Sequence, residues 1–464
     1  MTADATLYSP EWWLEQLYRK LVGRLPYIER CERYYDGDVE LQIVSEKYKK
    51  AFGQMLRGVS DNWMQLVVDA KVQRLHVDGF RVGENPKADV GARRIWQRNH
   101  LDADSELVHR AAIATGVAYA MVWPGKDGAE ITGEHPAETI VAYESGSSRR
   151  RAAALKAWRD EWTGKLFANV YLPDAIWKFE TSSDVGSVEA SAKIQMTWKA
   201  RSGDPKVENP YGWVPIVEFR NQPRLRARAG RAWASEIAHV IPTQDQVNKL
   251  VCDMLVASEF AAFRQRWAVG VPLEEDENGN PVEPFKIAVD RLLTSESEDT
   301  KFGEFAATDL SNYVKPIENR VQSIASRTST PPHYLLGSSG TFPAGESLRA
   351  TETGLVSNVK DKQRPLGESW EELMRMAGVI DEIPDLAAAE GSETIWKDPE
   401  YRTEAEHIDS LVKKLALGVP KQQLWEDAGY TPEQIARFPS MLLEEALNRL
   451  LAGEPVAAPV PAGV

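Results

Sequence analysis

At 464 residues and 51.9 kDa the chain is long enough for about three domains of ordinary size and a sizeable core. Its 69 Asp and Glu against 55 Lys and Arg leave a formal charge of −14, which argues against a protein that coats nucleic acid by neutralising phosphates. Two distant cysteines, Cys31 and Cys252, exclude a disulfide framework and a Cys-rich zinc module. Together with the absence of a secretory pattern or a bilayer-length apolar run, they lead us to expect a soluble intracellular protein.

Residues 9–120 read mainly as helices. Ser9 is placed as an N-cap with Pro10 at the first helical position, and Trp13, Leu14, Leu17, Tyr18 and Leu21 follow at helical spacing as a core stripe rather than a ligand platform. Further helices are predicted over 62–75, burying Leu66, Val67 and Ala70, and over 104–115, ending at Gly116. The period then changes. VAYAMVW (117–123), TIVAYE (139–144), LFANVYL, AIWKFE, KIQMTWKA and VPIVEF are short β-branched and aromatic runs between Gly, Pro, Asp and Asn, so 117–220 is predicted to be an antiparallel sheet. The fold class expected is therefore α+β.

From 234 the helical period returns. A helix from Thr243 to Trp267, on the order of 37 Å long at 1.5 Å per residue, carries Val247, Leu250, Val251, Met254, Leu255, Ser258, Ala261 and Ala262 on one stripe. Residues 270–309 hold eleven acids against three bases, a local charge of −8, and Leu310 to Arg327 resumes a helix with Tyr313, Ile317, Val321 and Ile324 at its spacing. After Thr330-Pro331-Pro332 comes the Gly- and Ser-rich run Gly337 to Gly345, and then a long helix, Glu346 to Ala377, with a kink expected at Pro365. Short helices are predicted over 404–416, 421–428 and 432–451, ahead of a disordered tail at 453–464.

Motifs of catalysis are missing from this pattern. There is no GxxxxGK[ST] phosphate loop, no pair of histidines at i, i+4 and no GxSxG elbow, so no catalytic residue, metal site or cofactor is expected. Fifteen Trp keep a carbohydrate-active hydrolase open as an alternative, beside an oligomeric scaffold without a channel. The arginines at 149–151, 220, 224, 226, 228 and 231 read as a solvated face or as intersubunit ion pairs with the surplus acids, in preference to a nucleic-acid patch. The closing helices, flanked by Glu426, Asp427, Glu433, Glu444 and Glu445, read as packing elements rather than a helix-turn-helix.

Several blocks carry a family resemblance: Tyr34-Tyr35-Asp36-Gly37-Asp38, YLPDAIWKF (171–179), NPYGWVPIVEFRNQP (209–223), SEIAHVIPTQDQVNKLVCDML (235–255) with SEFAAF behind it, and AGESLRATETGLVSNVKDKQ (344–363). In this order and spacing the sequence resembles the portal proteins of long-tailed double-stranded DNA bacteriophages. The resemblance implies a ring, usually of twelve copies, at one capsid vertex of the virion, assembled in the host cytoplasm, through which DNA passes in packaging and ejection with weak, non-specific contact. It implies a wing over 1–240, stem helices over 241–269 and 310–330, an acidic clip over 270–309 and a tunnel loop over 331–345. A long kinked helix over 346–399 and a helical crown over 400–452 complete the assignment.

On that reading the tunnel loop comprises Gly337, Ser338, Ser339, Gly340, Thr341, Phe342 and Pro343. The clip offers Glu274, Glu275, Asp276, Glu277, Glu296, Glu298 and Asp299 to partners, and the stem pairs subunits through Val247, Leu250, Val251, Met254, Leu255, Ile317 and Val321. The partners implied are copies of the chain, the terminase large subunit, a head-completion adaptor, and the major capsid and scaffolding proteins, with no membrane. Energy for translocation would come from the terminase, since this chain has no phosphate loop.

Overall fold

The computed structural model describes residues 6–39, 61–83, 89–182, 197–262, 266–269, 299–304, 309–336, 345–400, 404–430 and 432–451. They fall into two units, one formed by 1–38, 62–241 and 325–464, the other by 39–61 and 242–324.

The first unit opens with the helix Pro10–Asp36. Ser9 Oγ accepts from the Trp12 amide, and Gly37 ends the helix at φ 76°, where a side chain would be strained. Its buried face, Leu14, Leu17, Tyr18, Leu21 and Leu25, lies on the inner residues of an antiparallel sheet, among them Leu155, Ala157, Ala168, Val170 and Phe179. This is the Trp13 stripe placed as core. Asn62 caps the helix Trp63–Val72 by accepting from the amides of Met64 and Gln65. The helices Val90–Arg98 and Leu101–Thr115 follow, the latter ending at Gly116 with φ 103°.

The strands are β1 (Val77–Arg81), β2 (Val117–Gly125), β3 (Gly128–Glu134), β4 (Thr139–Tyr143), β5 (Arg151–Arg159), β6 (Leu166–Tyr171), β7 (Ala175–Thr181), β8 (Trp198–Ala200), β9 (Lys206–Glu208) and β10 (Ile216–Arg220). The single sheet expected over 117–220 is two. One has the order β10-β2-β3; the other runs β4-β5-β6-β7-β8, with β9 also on β7. β5, rich in alanine, escaped the β-branched pattern, yet Ala153, Leu155 and Ala157 are fully buried on one face because the N-terminal helix packs there, and Ala154 is buried on the other face against residues such as Tyr119 and Ile216. β1 pairs with β13 (Glu393–Trp396), more than 300 residues away, through Phe80 opposite Thr394 and Arg81 opposite Glu393.

The long helix spans Gly345–Ile380 with Pro365 inside it, so the proline does not end the helix. In a fully buried aromatic centre Trp96, Phe219 and His109 pack edge to face against Trp370, and Phe80 lies tilted on Trp96, with ring centroids 4.6–5.9 Å apart. Two of the fifteen tryptophans, Trp96 and Trp370, are thus core residues. Of the closing helices Glu404–Ala416, Lys421–Asp427 and Pro432–Leu451, the first two are joined by Lys414 pairing with Asp427 at 2.6 Å and the last two by Phe438 packing on Trp425 and Tyr430, while Arg81 ties the middle one to β1 through Glu426 at 2.6 Å.

The second unit contains the helix Ile241–Ala262 from residue 242 and most of the helix Ser311–Arg327, whose N-terminus Asp309 caps by accepting from the Ser311 amide at 2.9 Å. The first helix was expected to reach Trp267. Its described part runs to Ala262, and Trp267 lies not on it but on β11 (Arg266–Val269), antiparallel to β12 (Lys301–Glu304). Gly303 stands opposite Trp267, and any Cβ at 303 would collide with the indole, so the pair needs glycine at that place. A bulky ring laid over a glycine favours the extended chain there.

Candidate functional site

Glu236 lies five residues ahead of the helix Ile241–Ala262 and is fully buried with its neighbour Ser235. Ser235 Oγ donates to the Ala114 carbonyl at 2.6 Å and accepts from the amides of Ile237 and Ala238 at 3.1 Å, which fixes the local turn. The Glu236 carboxylate accepts from Lys362 Nζ at 2.6 Å, from Gln222 Nε2 at 2.9 Å, and pairs with Lys71 Nζ at 3.7 Å. Lys362 also donates to Asn221 Oδ1 at 2.9 Å, and Lys71 to the Val67 carbonyl at 3.1 Å and Thr330 Oγ1 at 3.3 Å.

Burial alone would raise the Glu236 carboxyl, but Lys362 and then Lys71 more than offset it and hold it down at about 2. Burial, the leading cause, and the nearby Lys362 charge bring Lys71 down to about 8 despite Glu236. The cluster therefore holds two ammonium groups against one carboxylate, with amide, hydroxyl and carbonyl oxygens accepting from the spare protons.

The arrangement brings together residues from the blocks that carry the resemblance. Asn221 and Gln222 close the 209–223 block, Glu236 opens the 235–255 block and Lys362 stands near the end of the 344–363 block, so three separated segments converge on one carboxylate. The two remaining blocks are junctions as well. Tyr35 donates to Asp69 at 2.9 Å, and Asn209 links the 209–223 block to the 171–179 block through the Leu172 carbonyl at 3.1 Å. Sequence reasoning passed over Lys71 and Lys362. Each nonetheless interrupts an apolar helical stripe, Lys71 between Val67 and Leu75, Lys362 between Val359 and Leu366, which is the mark of a buried, paired cation.

A second clamp lies beside the expected tunnel loop. Residues 337–343 themselves are outside the described residues, but the flanking helices Pro332–Leu336 and Gly345–Ile380 are joined: Tyr334 Oη donates to Glu352 at 2.9 Å, and Arg74 donates to Tyr334 Oη at 2.8 Å while pairing with Glu352 at 3.7 Å. In the expected clip, Glu274, Glu275, Asp276, Glu277, Glu296 and Glu298 lie outside the described residues, and Asp299 is exposed ahead of β12. Of the expected intersubunit stem residues, Val247 and Val321 are buried in the single copy. Leu250, Val251, Met254, Leu255 and Ile317 are only half-buried.

The Arg cluster divides. Arg220 donates to Glu218, which also accepts from Tyr119 and Tyr143 at 3.0 Å; Arg150 pairs with Glu144 at 2.9 Å and Arg151 with Glu372 at 2.7 Å. Arg224, Arg226, Arg228 and Arg231 stay together on one hairpin.

The profile of the family described as phage portal protein, SPP1 Gp6-like, matches residues 16–437. The chain belongs to that family. The portal proteins of Mycobacterium phages L5 and D29 are each 26% identical to it, over 423 and 419 residues, covering 86% of this chain and 82% and 81% of theirs. Among solved structures, the neck of an empty GTA particle computed with C6 symmetry aligns over 79% of this chain and 88% of that one at TM-score 0.42 and 11% identity. Both the Glu236 network and the Tyr334–Glu352 clamp lie inside the span that the portal family matches. The family is a structural one, and among the described residues no helix is long and apolar enough to cross a membrane.

Proposed function

We propose that the chain assembles into a closed ring, a dodecamer, at one capsid vertex of the virion, and that double-stranded DNA passes through its channel during packaging and ejection. The observation that carries this reading, beyond family membership, is the amount of apolar helix surface left uncovered in a single copy. On the closing helices Ile408, Val412 and Leu415, and then Leu443, Leu447 and Leu451, recur at helical spacing and are all exposed, which a monomer in water does not favour. Heterologous contacts repeated around an axis cover such faces in every copy alike. The half-buried Leu250, Val251, Met254, Leu255 and Ile317 extend the same contact to the stem.

The acidic balance fits transport. DNA carries one phosphate charge per ~1.7 Å, so a strongly cationic lining would hold it, whereas a lining that is acidic or mixed lets it slide. The clip carboxylates from Glu274 to Asp299 would dock the terminase large subunit and later a head-completion adaptor, the loop 337–343 would form the constriction around DNA, and capsid and scaffolding proteins would meet the outer surface. Native mass measurement with electron micrographs down the particle axis tests the reading: a closed ring with a central channel is expected, and Leu250→Asp and Leu255→Asp should each prevent full-size rings by burying an unpaired charge. Full-size rings from both variants would refute the stem contact; a monomeric wild type would refute the ring.

A further inference from the structure

We infer that the hairpin 221–234 is an arginine clasp that receives carboxylates from a second copy of this chain. The inference rests on the proposed ring and names one of its contacts. Between Phe219 and Ser235 the sequence has five arginines and no acid, in a chain whose overall charge is −14. Backbone bonds from Ala234 to Asn221 at 3.1 Å, Arg224 to Ala232 at 2.7 Å, and in both directions between Arg228 and Arg231 at 2.9 and 3.1 Å build the hairpin. Ala229 and Gly230 turn it with φ of 50° and 76°, the positive pair that a tight two-residue turn requires. The side chains therefore stand on an ordered scaffold.

Arg224, Arg226 and Arg228 are exposed, and among the described residues none of them, nor Arg231, has an ion pair. Arg231 lies over the Tyr27 ring at 3.9 Å, and the Arg327 guanidinium donates to the His239 carbonyl at 2.7 Å. Arg224, Arg228, Arg231, Arg327, His239 and Trp233 border a cleft of about 540 Å³. Glu236 is on its wall, but Lys362, Lys71 and Gln222 already occupy that carboxylate. In the single copy the guanidinium groups of Arg224, Arg228 and Arg231 thus stand together with no ion-pair partner among the described residues, an unfavourable arrangement that an incoming carboxylate reverses.

Two features favour protein over nucleic acid as the occupant. Leu225, between Arg224 and Arg226, is fully exposed, and an apolar anchor flanked by arginines suits the centre of a protein interface rather than a phosphate backbone. The remainder of the chain, minus these arginines, is still more acidic than the whole, so a neighbouring copy brings the complementary charge with it, while the same field repels DNA.

The test uses the full chain. The double variant Arg224→Glu, Arg228→Glu should raise the concentration for half-assembly of rings at least tenfold at low salt, with unchanged melting temperature and circular dichroism; wild-type rings should themselves weaken as salt rises. Arg224→Lys, Arg228→Lys should assemble and, treated with a carbodiimide in rings mixed from isotope-labelled and unlabelled copies, give lysine–carboxylate cross-links that join one labelled and one unlabelled peptide. Double-Glu rings as stable as wild type, or cross-links only within a copy, overturn the clasp while leaving the ring standing. Intact double-Glu rings that lose affinity for a duplex oligonucleotide overturn it in favour of a DNA contact. A wild type that stays monomeric overturns both clasp and ring.

Discussion

Glu236→Gln is the most informative single change in the first unit. It keeps the shape of the side chain and the Gln222 contact, but leaves Lys71 and Lys362 buried with no counter-charge, both being almost wholly inaccessible to solvent. Removing one partner of a buried ion pair costs about 3–5 kcal/mol, far more than the net worth of the intact pair, because the desolvated partner is stranded. For a domain of this size that loss corresponds to a fall in melting temperature on the order of 10 °C, readable by calorimetry or fluorescence. The triple change Glu236→Gln, Lys71→Met, Lys362→Met should recover much of it, since apolar groups of similar volume need no counter-charge. The pH dependence has a definite sign. Glu236 titrates at about 2 when folded against about 4.5 unfolded, so its contribution is complete above 4.5 and is lost as pH falls from there towards 2. The Gln variant should lack that part of the acid transition. A Glu236→Gln protein within about 1 kcal/mol of wild type, with an unchanged acid limb, would refute the idea that this carboxylate holds three segments together.

Other outcomes follow from the same packing. His109, fully buried, accepts from Trp370 Nε1 at 2.9 Å, and burial lowers its pKa to about 3, so it favours folding above pH 6.5 and that contribution disappears as pH falls from 6.5 to 3; His109→Gln should flatten this part of the stability profile. Gly116→Ala combines φ 103° with a Cβ placed 2.5 Å from Trp233 Cε3 and 2.7 Å from the Ser235 amide nitrogen, and should destabilise the protein by more than about 2 kcal/mol in chemical denaturation. Deleting 338–343 should leave rings intact while reducing packaged or retained DNA in a packaging assay, and Tyr334→Phe, which removes the hydroxyl that links Arg74 to Glu352, should reproduce part of that defect. Charge reversal at Glu274 to Glu277 should weaken terminase binding in a salt-dependent manner with rings unaffected, as measured by biolayer interferometry.

The helices were legible in the sequence because their signals are local. Ser9-Pro10 at one helix start, Gly116 at another helix end and the apolar spacing of Leu14, Leu17 and Leu21 each act within a few residues, and the order helix, acidic segment, helix, glycine-rich run, long helix could be written down from periodicity and composition. The resemblance of ordered blocks was legible for the same reason. What only the tertiary structure decided was which distant groups meet. Alanines in β5 look neutral until the N-terminal helix covers them, β1 and β13 become a sheet only when 77 and 396 are brought opposite one another, and Trp267 leaves a helical pattern because Gly303 offers it a surface. Lys71, Asn221, Glu236 and Lys362 carry no joint spacing rule; a charge in an apolar stripe announces that a partner exists, but the choice of partner depends on long-range packing. The same limit divided the arginines, since ion pairing with Glu144, Glu218 and Glu372 removes some of them from the exposed set and only three-dimensional proximity determines which.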